Sequence, residues 1–172
     1  MVGQKLISAC FGLALALALA VSTGALAQSG SDKDSDGKFT AIAIVTGDLN
    51  WFKLFESPKT PVIKGKDVFG PGEQGTVALI FSNAKPNGGT VRVECDISAF
   101  DPKGSSVVAD DAVCYEGPFY GENVLTPALL DLRFKIGKND PDGRAGFKIT
   151  LHDVNSGRRV TLNVAFEQDT GK

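Results

Sequence analysis

Alternation of apolar and polar residues on both sides of one turn constrains the fold more than any other feature of this chain. Residues 145–151 and 160–166 are apolar at every second position, and Asn155, Ser156 and Gly157 supply a turn between them. A strand with this period buries one face and leaves the other in water. The pattern therefore predicts an antiparallel hairpin with one buried face.

Shorter apolar or alternating segments precede this hairpin, separated by glycine, proline, asparagine and aspartate. The candidate strands lie at residues 39–46, 51–55, 76–81, 90–99, 106–114 and 130–136. No window holds a convincing helical period. About seven short strands with regular turn signals predict an all-β, antiparallel two-sheet sandwich over residues 39–168, followed by a tail at 169–172.

The first 27 residues predict export. Lys5 precedes a Leu- and Ala-rich apolar run at 6–21, and residues 25–27 (Ala-Leu-Ala) form a small-x-small cleavage site. This is the pattern of a secretory signal peptide, and it is too short and wrongly flanked for a stable membrane span. Cleavage after Ala27 would place the mature protein in the periplasm or outside the cell.

Two cysteines remain once the predicted signal peptide, which contains Cys10, is removed. Cys95 and Cys114 form an even pair in an oxidising compartment, which predicts a disulfide. Loss of Lys5 leaves 18 − 1 = 17 basic residues against 20 acidic ones, a net charge of −3. This balance gives no electrostatic case for nucleic-acid binding.

Residues 28–38 contain no apolar side chain and predict a disordered acidic leader. Within them Asp32, Asp34 and Asp36 precede a glycine, which is the spacing of a calcium-binding loop. The closing position, where such a loop carries a bidentate Glu, is Ala43, and no helix flanks the segment. We therefore predict no metal or cofactor, and keep a calcium-responsive structural protein as an alternative.

Two stretches resemble bacterial immunoglobulin-like and fibronectin III-like modules. Residues 69–73 (Phe-Gly-Pro-Gly-Glu) lead into an apolar strand, as in the opening of many such modules. Residues 140–166, with Asp153 ahead of a Ser-Gly turn, are similar to their closing hairpin. The resemblance implies an immunoglobulin-like sandwich that binds, spaces or assembles, but no particular activity. Phe147 stands where these modules commonly have a tyrosine, so a corner hydroxyl bond is not expected.

Few residues are suited to catalysis. His152 is the single histidine and falls on the outward face beside a turn, while both remaining cysteines are assigned to the disulfide. Asp110, Asp111, Glu116 and Glu122 cluster in one region and could include an acid–base pair. Nothing in the sequence fixes their separation, so we predict no catalytic residue and keep a small envelope enzyme using these carboxylates as an alternative.

The aromatic residues after Cys114 give the leading functional hypothesis. Two tyrosines and a phenylalanine stand among glycine and proline beside the predicted disulfide, and aromatic residues on a braced loop offer contact area at low entropic cost. We predict a non-catalytic binding or assembly module that recognises a protein or glycan at the cell envelope. The predicted partner-binding residues are Tyr115, Glu116, Phe119, Tyr120 and Glu122.

A second interpretation of these aromatic residues stays open. They could fold over an open end of the sandwich and complete its core. Trp51 and Phe52, in a short aromatic segment, have the same two interpretations, as core residues or as a binding platform.

Overall fold

The structure is a computed structural model that describes residues 28–104 and 106–171. The predicted signal peptide, residues 1–27, lies outside the described residues. Within the described ranges, no helix has both the length and the apolar character needed to cross a membrane.

Two β-sheets, one of six strands and one of five, make up most of the described chain. In chain order the strands are β1 (Gln28–Ser29), β2 (Ser31–Asp36), β3 (Phe39–Thr46), β4 (Val68–Phe69), β5 (Gln74–Ser82), β6 (Thr90–Phe100), β7 (Ser106–Pro118), β8 (Thr126–Pro127), β9 (Arg133–Lys135), β10 (Gly143–Asp153) and β11 (Arg158–Gln168). The first sheet has the order β1-β11-β10-β6-β7, with β4 also on β11. The second has the order β2-β3-β5-β8, with β9 also on β5.

The all-β, two-sheet prediction is confirmed, but the predicted number of strands, about seven, is too low. Four of the strands, β1, β4, β8 and β9, contain only two or three residues. Alternation cannot be detected over so few positions. Two of these short strands, β1 and β4, pair with β11 in the parallel direction, whereas the other pairings are antiparallel.

The closing hairpin forms as its pattern predicts. In β10 and β11, Ile149 lies opposite Leu162 and Leu151 lies opposite Val160, and all four side chains are buried. The Gly157 N–H donates to the Asp153 carbonyl over 2.8 Å and closes the turn. These residues join the inward faces of β3 and β5 in one core between the sheets.

Residues 51–55, predicted as a strand, instead begin a 3-10 helix, Trp51–Glu56. The Lys53 N–H donates to the Asn50 carbonyl over 2.9 Å, which starts the helical turn. The turn directs Trp51 onto Ala78 and Ile80 on the outer face of β5. The prediction failed because aromatic residues favour strands, whereas here packing on a completed sheet decides the local structure.

Residues 28–38, predicted to be disordered, form β1, β2 and the turn into β3. β2 pairs with β3 through its backbone, and its aspartates accept hydrogen bonds from β11 on the other sheet. The backbone donors are Asn163 to Asp32 (2.8 Å), Thr161 to Asp34 (2.9 Å) and Arg159 to Asp36 (3.1 Å). We call this set the carboxylate ladder. The composition of the segment does not predict β2, because this strand is held by hydrogen bonds of its backbone and its carboxylates and not by buried apolar side chains.

The carboxylate ladder also excludes the loop geometry on which the calcium hypothesis depends. Alternate residues of a strand are about 6.6–6.8 Å apart, so three such carboxylates spread over about 13 Å. Calcium needs its oxygens within about 2.6 Å of one point. No group of three or more His, Cys, Asp or Glu side chains suited to a metal ion is found in the portion of the chain described.

The predicted disulfide between Cys95 and Cys114 is present, with the two Cα atoms 5.8 Å apart. It joins β6 to β7, which are neighbours in the same sheet, at a point where the register between them shifts. Both cysteines are buried. The bond therefore fixes an irregular strand pair, whereas the conserved disulfide of antibody domains joins two sheets.

Candidate functional site

Tyr115 lies in the core. It belongs to the end of β7, where a loop was predicted, and is only 4% exposed. Its ring packs edge-on against Phe81 at 5.2 Å, and its hydroxyl donates to the Pro118 carbonyl over 3.0 Å. Burial, together with the neighbouring Tyr120, raises the pKa of Tyr115 to about 12. For this residue the geometry matches the core interpretation.

The two glutamates of the predicted set are engaged with different cations. Glu116 accepts a hydrogen bond from Arg92 over 2.8 Å on the face of the first sheet. Arg92 also bonds Glu94 over 2.9 Å, and these carboxylates raise the pKa of the guanidinium. Glu122 instead lies 3.4 Å from the Lys38 ammonium. The structure therefore does not bring Glu116 and Glu122 together as a pair.

Phe119 and Tyr120 are consecutive and share one very small pocket, but the two larger cavities each contain only one of them. Phe119 is half-buried against the core and faces a cavity that also contains Glu122. Tyr120 is 63% exposed and lines a larger cavity that contains neither Phe119 nor Glu122. Of the five predicted residues, Tyr115 thus lies in the core and Glu116 pairs with Arg92 on the sheet face. Phe119 and Glu122 line one cavity, and Tyr120 lines another.

The larger cavity is a groove of about 810 Å³ with a mainly apolar lining, which we call the aromatic groove. It is lined by Leu49, Trp51, Phe52, Phe55, Glu56, Tyr115, Tyr120, Val124, Leu125, Thr126, Pro127, Ala128, Leu129, Leu130, Asp131 and Arg133. Both aromatic segments identified in the sequence therefore meet at one site. Volumes of this size are typical of ligand-binding clefts.

The 3-10 helix forms one wall of the groove. Trp51 is anchored on β5 and contacts Phe55 edge-on at 6.0 Å, so the helix is held against the second sheet. Phe52, the next residue, is 43% exposed and also lines the groove. Burial of Trp51 thus fixes the position of a neighbouring aromatic ring that remains available for contact.

The opposite wall follows the edge of β5 as an interrupted strand. β8 and β9 both pair with β5, and between them the chain stays bonded to this strand through the Ala128 N–H, which donates to the Leu79 carbonyl over 2.8 Å, and the Leu132 carbonyl, which accepts the Val77 N–H over 3.1 Å. The Leu129 N–H reaches the Cys114 carbonyl over 2.7 Å, which joins this wall to β7 beside the disulfide. The Leu129 side chain is 71% exposed at the lip of the groove.

The charged side chains of the groove lie at its rim. Arg133 forms an ion pair with Asp131 at 2.8 Å and also donates to the Leu49 carbonyl over 3.5 Å. Exposed ion pairs of this kind contribute little to stability. The second contact nevertheless joins the two walls of the groove.

The sequence analysis missed the wall formed by residues 124–130. This stretch, Val-Leu-Thr-Pro-Ala-Leu-Leu, is almost wholly apolar but has no strict period, and only its last residue was assigned to a candidate strand. The available signal was that several large apolar residues fall within a Pro-containing connection. Val124, Leu125 and Leu129 are all exposed.

Comparison with known proteins gives no family assignment, since no family model and no curated protein matches this chain. Among solved structures, a family 123 glycoside hydrolase from Clostridium perfringens aligns with a TM-score of 0.42 at 11% identity, over 74% of this chain and 27% of the hydrolase. An alkylpurine DNA glycosylase from Pseudomonas fluorescens aligns at 0.39 and 14%, over 59% of this chain and 27% of the glycosylase. Neither likeness supports an inference about activity.

Proposed function

We propose that this protein is an exported, non-catalytic binding module of immunoglobulin-like type, and that its aromatic groove takes an apolar segment of a partner protein at the cell envelope. The observation behind this proposal is the set of exposed apolar and aromatic residues at the rim of the aromatic groove. Phe52, Tyr120 and Leu129 come from three separate segments and surround one cavity. Exposed apolar residues gathered round a groove are typical of interaction sites.

The chemistry of the rim favours a protein segment over a glycan. Val124, Leu125 and Leu129 cannot hydrogen-bond sugar hydroxyls, and a hydroxyl that loses water without finding a partner weakens binding. Arg133 and Asp131, which could offer polar contacts, are bonded to each other. An apolar peptide segment would instead bury these side chains at a gain proportional to the area covered.

Export is supported by the predicted signal peptide and by the buried disulfide. Disulfides persist in oxidising compartments such as the periplasm and are rare in the cytosol. The bond also braces the groove, because Cys114 accepts the Leu129 N–H.

The test is affinity capture from envelope extract by three forms of the protein. They are the wild type, a Phe52→Ala/Tyr120→Ala variant, and a Val62→Ala/Val107→Ala control that removes two exposed apolar side chains outside the groove. We expect a partner that the wild type and the control retain and that the groove variant loses. Trp51, the single tryptophan, lines the groove, so its fluorescence should respond to the purified partner.

Three results would contradict the proposal. A partner retained by the groove variant would place the binding site elsewhere. A partner displaced by free saccharide would show that the groove takes glycans. Absence of any partner that depends on Phe52 and Tyr120 would remove the groove from the function.

A further inference from the structure

A second cavity, of about 380 Å³, gathers positive charge from three separate parts of the chain. We call it the basic cavity. It is lined by Lys38, Asn83, Ala84, Lys85, Pro86, Phe119, Glu122, Ser156 and Arg158. Lys38 lies in the β2–β3 turn, Lys85 lies between β5 and β6, and Arg158 is the first residue of β11.

Hydrogen bonds around Asp153 hold two of these cations on one scaffold. Asp153 is fully buried, and its carboxylate accepts the Lys85 N–H over 2.9 Å and the hydroxyl of Ser156. The Asn155 side-chain amide donates to the Lys85 carbonyl over 2.9 Å. The connection that carries Lys85 is therefore fixed to the β10–β11 turn, directly before Arg158.

The third segment is attached to the same scaffold. The Asn83 side-chain amide donates to the Lys38 carbonyl over 3.0 Å. Arg158 lies against Gly37, where an added Cβ would come within 3.2 Å of the guanidinium carbon. Gly37 also has a φ of +62°, a conformation that other residues adopt at a cost. A glycine here thus allows the turn and the guanidinium to pack together.

The positive charge of the cavity is only partly balanced. Among residues 28–104 and 106–171, neither Lys85 nor Arg158 forms a salt bridge, and Lys38 has only the exposed contact with Glu122 at 3.4 Å. The oxygens of Asp153 are occupied by backbone and hydroxyl donors. Three basic residues and one carboxylate thus line the cavity, and like charges brought together without full counter-charge attract an anion.

We propose that the basic cavity binds a phosphate ester, with its phosphate on Arg158 and Lys85 and its organic part against Phe119 and Pro86. A guanidinium offers a planar fork of donors that matches phosphate oxygens, and an ammonium adds a point charge. A water molecule occupies about 30 Å³, so this cavity has room for a phosphate and the group it is bonded to. The site does not depend on the aromatic groove, because the two cavities share no lining residue.

The phosphate ester could be free or part of a lipid headgroup, and two probes distinguish these sources. We would titrate the full protein with glycerol 3-phosphate by calorimetry, and measure sedimentation with vesicles of phosphatidylcholine containing phosphatidylglycerol. Binding to glycerol 3-phosphate alone identifies a soluble ester, whereas binding to the vesicles alone identifies a headgroup. Absence of saturable binding to both probes would overturn the proposal.

Substitutions that should change the affinity for the phosphate ester in opposite directions test the site. Lys85→Gln and Arg158→Gln should each weaken binding by about tenfold or more, since each removes a charge-assisted hydrogen bond. Glu122→Gln should strengthen it severalfold, because it removes the opposing carboxylate and releases Lys38. Lys59→Gln, an exposed lysine outside the cavity, should change nothing.

The Glu122→Gln arm keeps the proposal falsifiable if Arg158→Gln impairs folding, because a gain in affinity cannot come from an unfolded protein. Unchanged binding in both Lys85→Gln and Glu122→Gln would overturn the assignment. Loss of partner binding at the aromatic groove would leave these phosphate titrations unaffected, so the two proposals fail separately.

Discussion

The Asp34 carboxylate accepts a hydrogen bond from the backbone N–H of Thr161 over 2.9 Å, although the two residues are 127 positions apart in the chain. The bond connects β2 of one sheet to β11 of the other. Asp32 and Asp36 repeat the contact with Asn163 and Arg159. An acidic segment thus occupies backbone donors that an edge strand would otherwise present to another chain.

Removal of one member of the carboxylate ladder should destabilise the fold modestly. Asp34→Ala should lower the free energy of unfolding by about 1 kcal/mol, because the backbone N–H groups of Thr161 and Ser35 lose their carboxylate acceptor at a solvent-exposed position. Asp34→Asn should cost less, since the amide oxygen still accepts a bond. Urea denaturation measures both, with Lys33→Ala as the control. Equal stability of Asp34→Ala and wild type would show that the contact contributes nothing.

Calcium should leave the melting temperature unchanged. A ligand that binds only the native state must raise stability, and the extended strand β2 does not gather Asp32, Asp34 and Asp36 round one point. Thermal unfolding with and without millimolar calcium checks this. A rise in melting temperature that Asp34→Asn abolishes would revive the calcium hypothesis.

Neighbouring aromatic residues of the 3-10 helix should differ in their effect on stability. Trp51 is buried, so Trp51→Ala should lower the free energy of unfolding by about 3–5 kcal/mol. Phe52 is 43% exposed, so Phe52→Ala should change it by about 0.5 kcal/mol or less. Denaturant melts of the two variants form a matched pair. A large loss of stability in Phe52→Ala would assign this residue to the core and remove it from the groove rim.

The pH dependence of stability should report the burial of Tyr115. Its pKa is raised to about 12 in the folded protein, above the ordinary value of about 10 for an unfolded chain. The folded state therefore holds its proton more tightly, so this contribution is fully present below pH 10 and is lost as the pH rises towards 12. Denaturant melts across this interval should show falling stability.

A spectroscopic titration isolates the same group. The chain has two tyrosines, so Tyr120→Phe leaves Tyr115 as the single phenol. Burial is the largest cause of its shift, and the pKa should therefore remain above 10 in this variant. Ionisation of the native variant at the pH of free tyrosine would contradict the buried position.

Alternation was sufficient to predict the parts of the fold that bury one face of a long strand. Ile149 and Leu162, for example, lie opposite each other as their spacing required. The leader could not be predicted in the same way, because β2 buries almost no apolar surface and depends on β11, far along the chain. The segment that contains Trp51 was predicted as a strand and is a 3-10 helix, because its conformation follows from the surface of β5 that Trp51 covers.

For the candidate site, the sequence indicated individual residues but not how they are arranged. Tyr120 and Phe52 were both identified as possible contact residues, yet no local pattern indicates that they line one groove. The basic cavity was not predicted at all. Its cations, Lys38, Lys85 and Arg158, come together only through the meeting of three turns, and each one alone is an ordinary surface residue.

The carboxylate ladder has a consequence for the order in which the molecule is completed. Asp32 bonds to a residue 131 positions later, so this edge cannot close until nearly all of the described chain has been synthesised. Contacts between distant residues form slowly, because the entropy of the intervening loop is lost first. The strands of each sheet can therefore begin to pair on a growing polypeptide, but the bonds between β2 and β11 form only after β11, the last strand, has been synthesised.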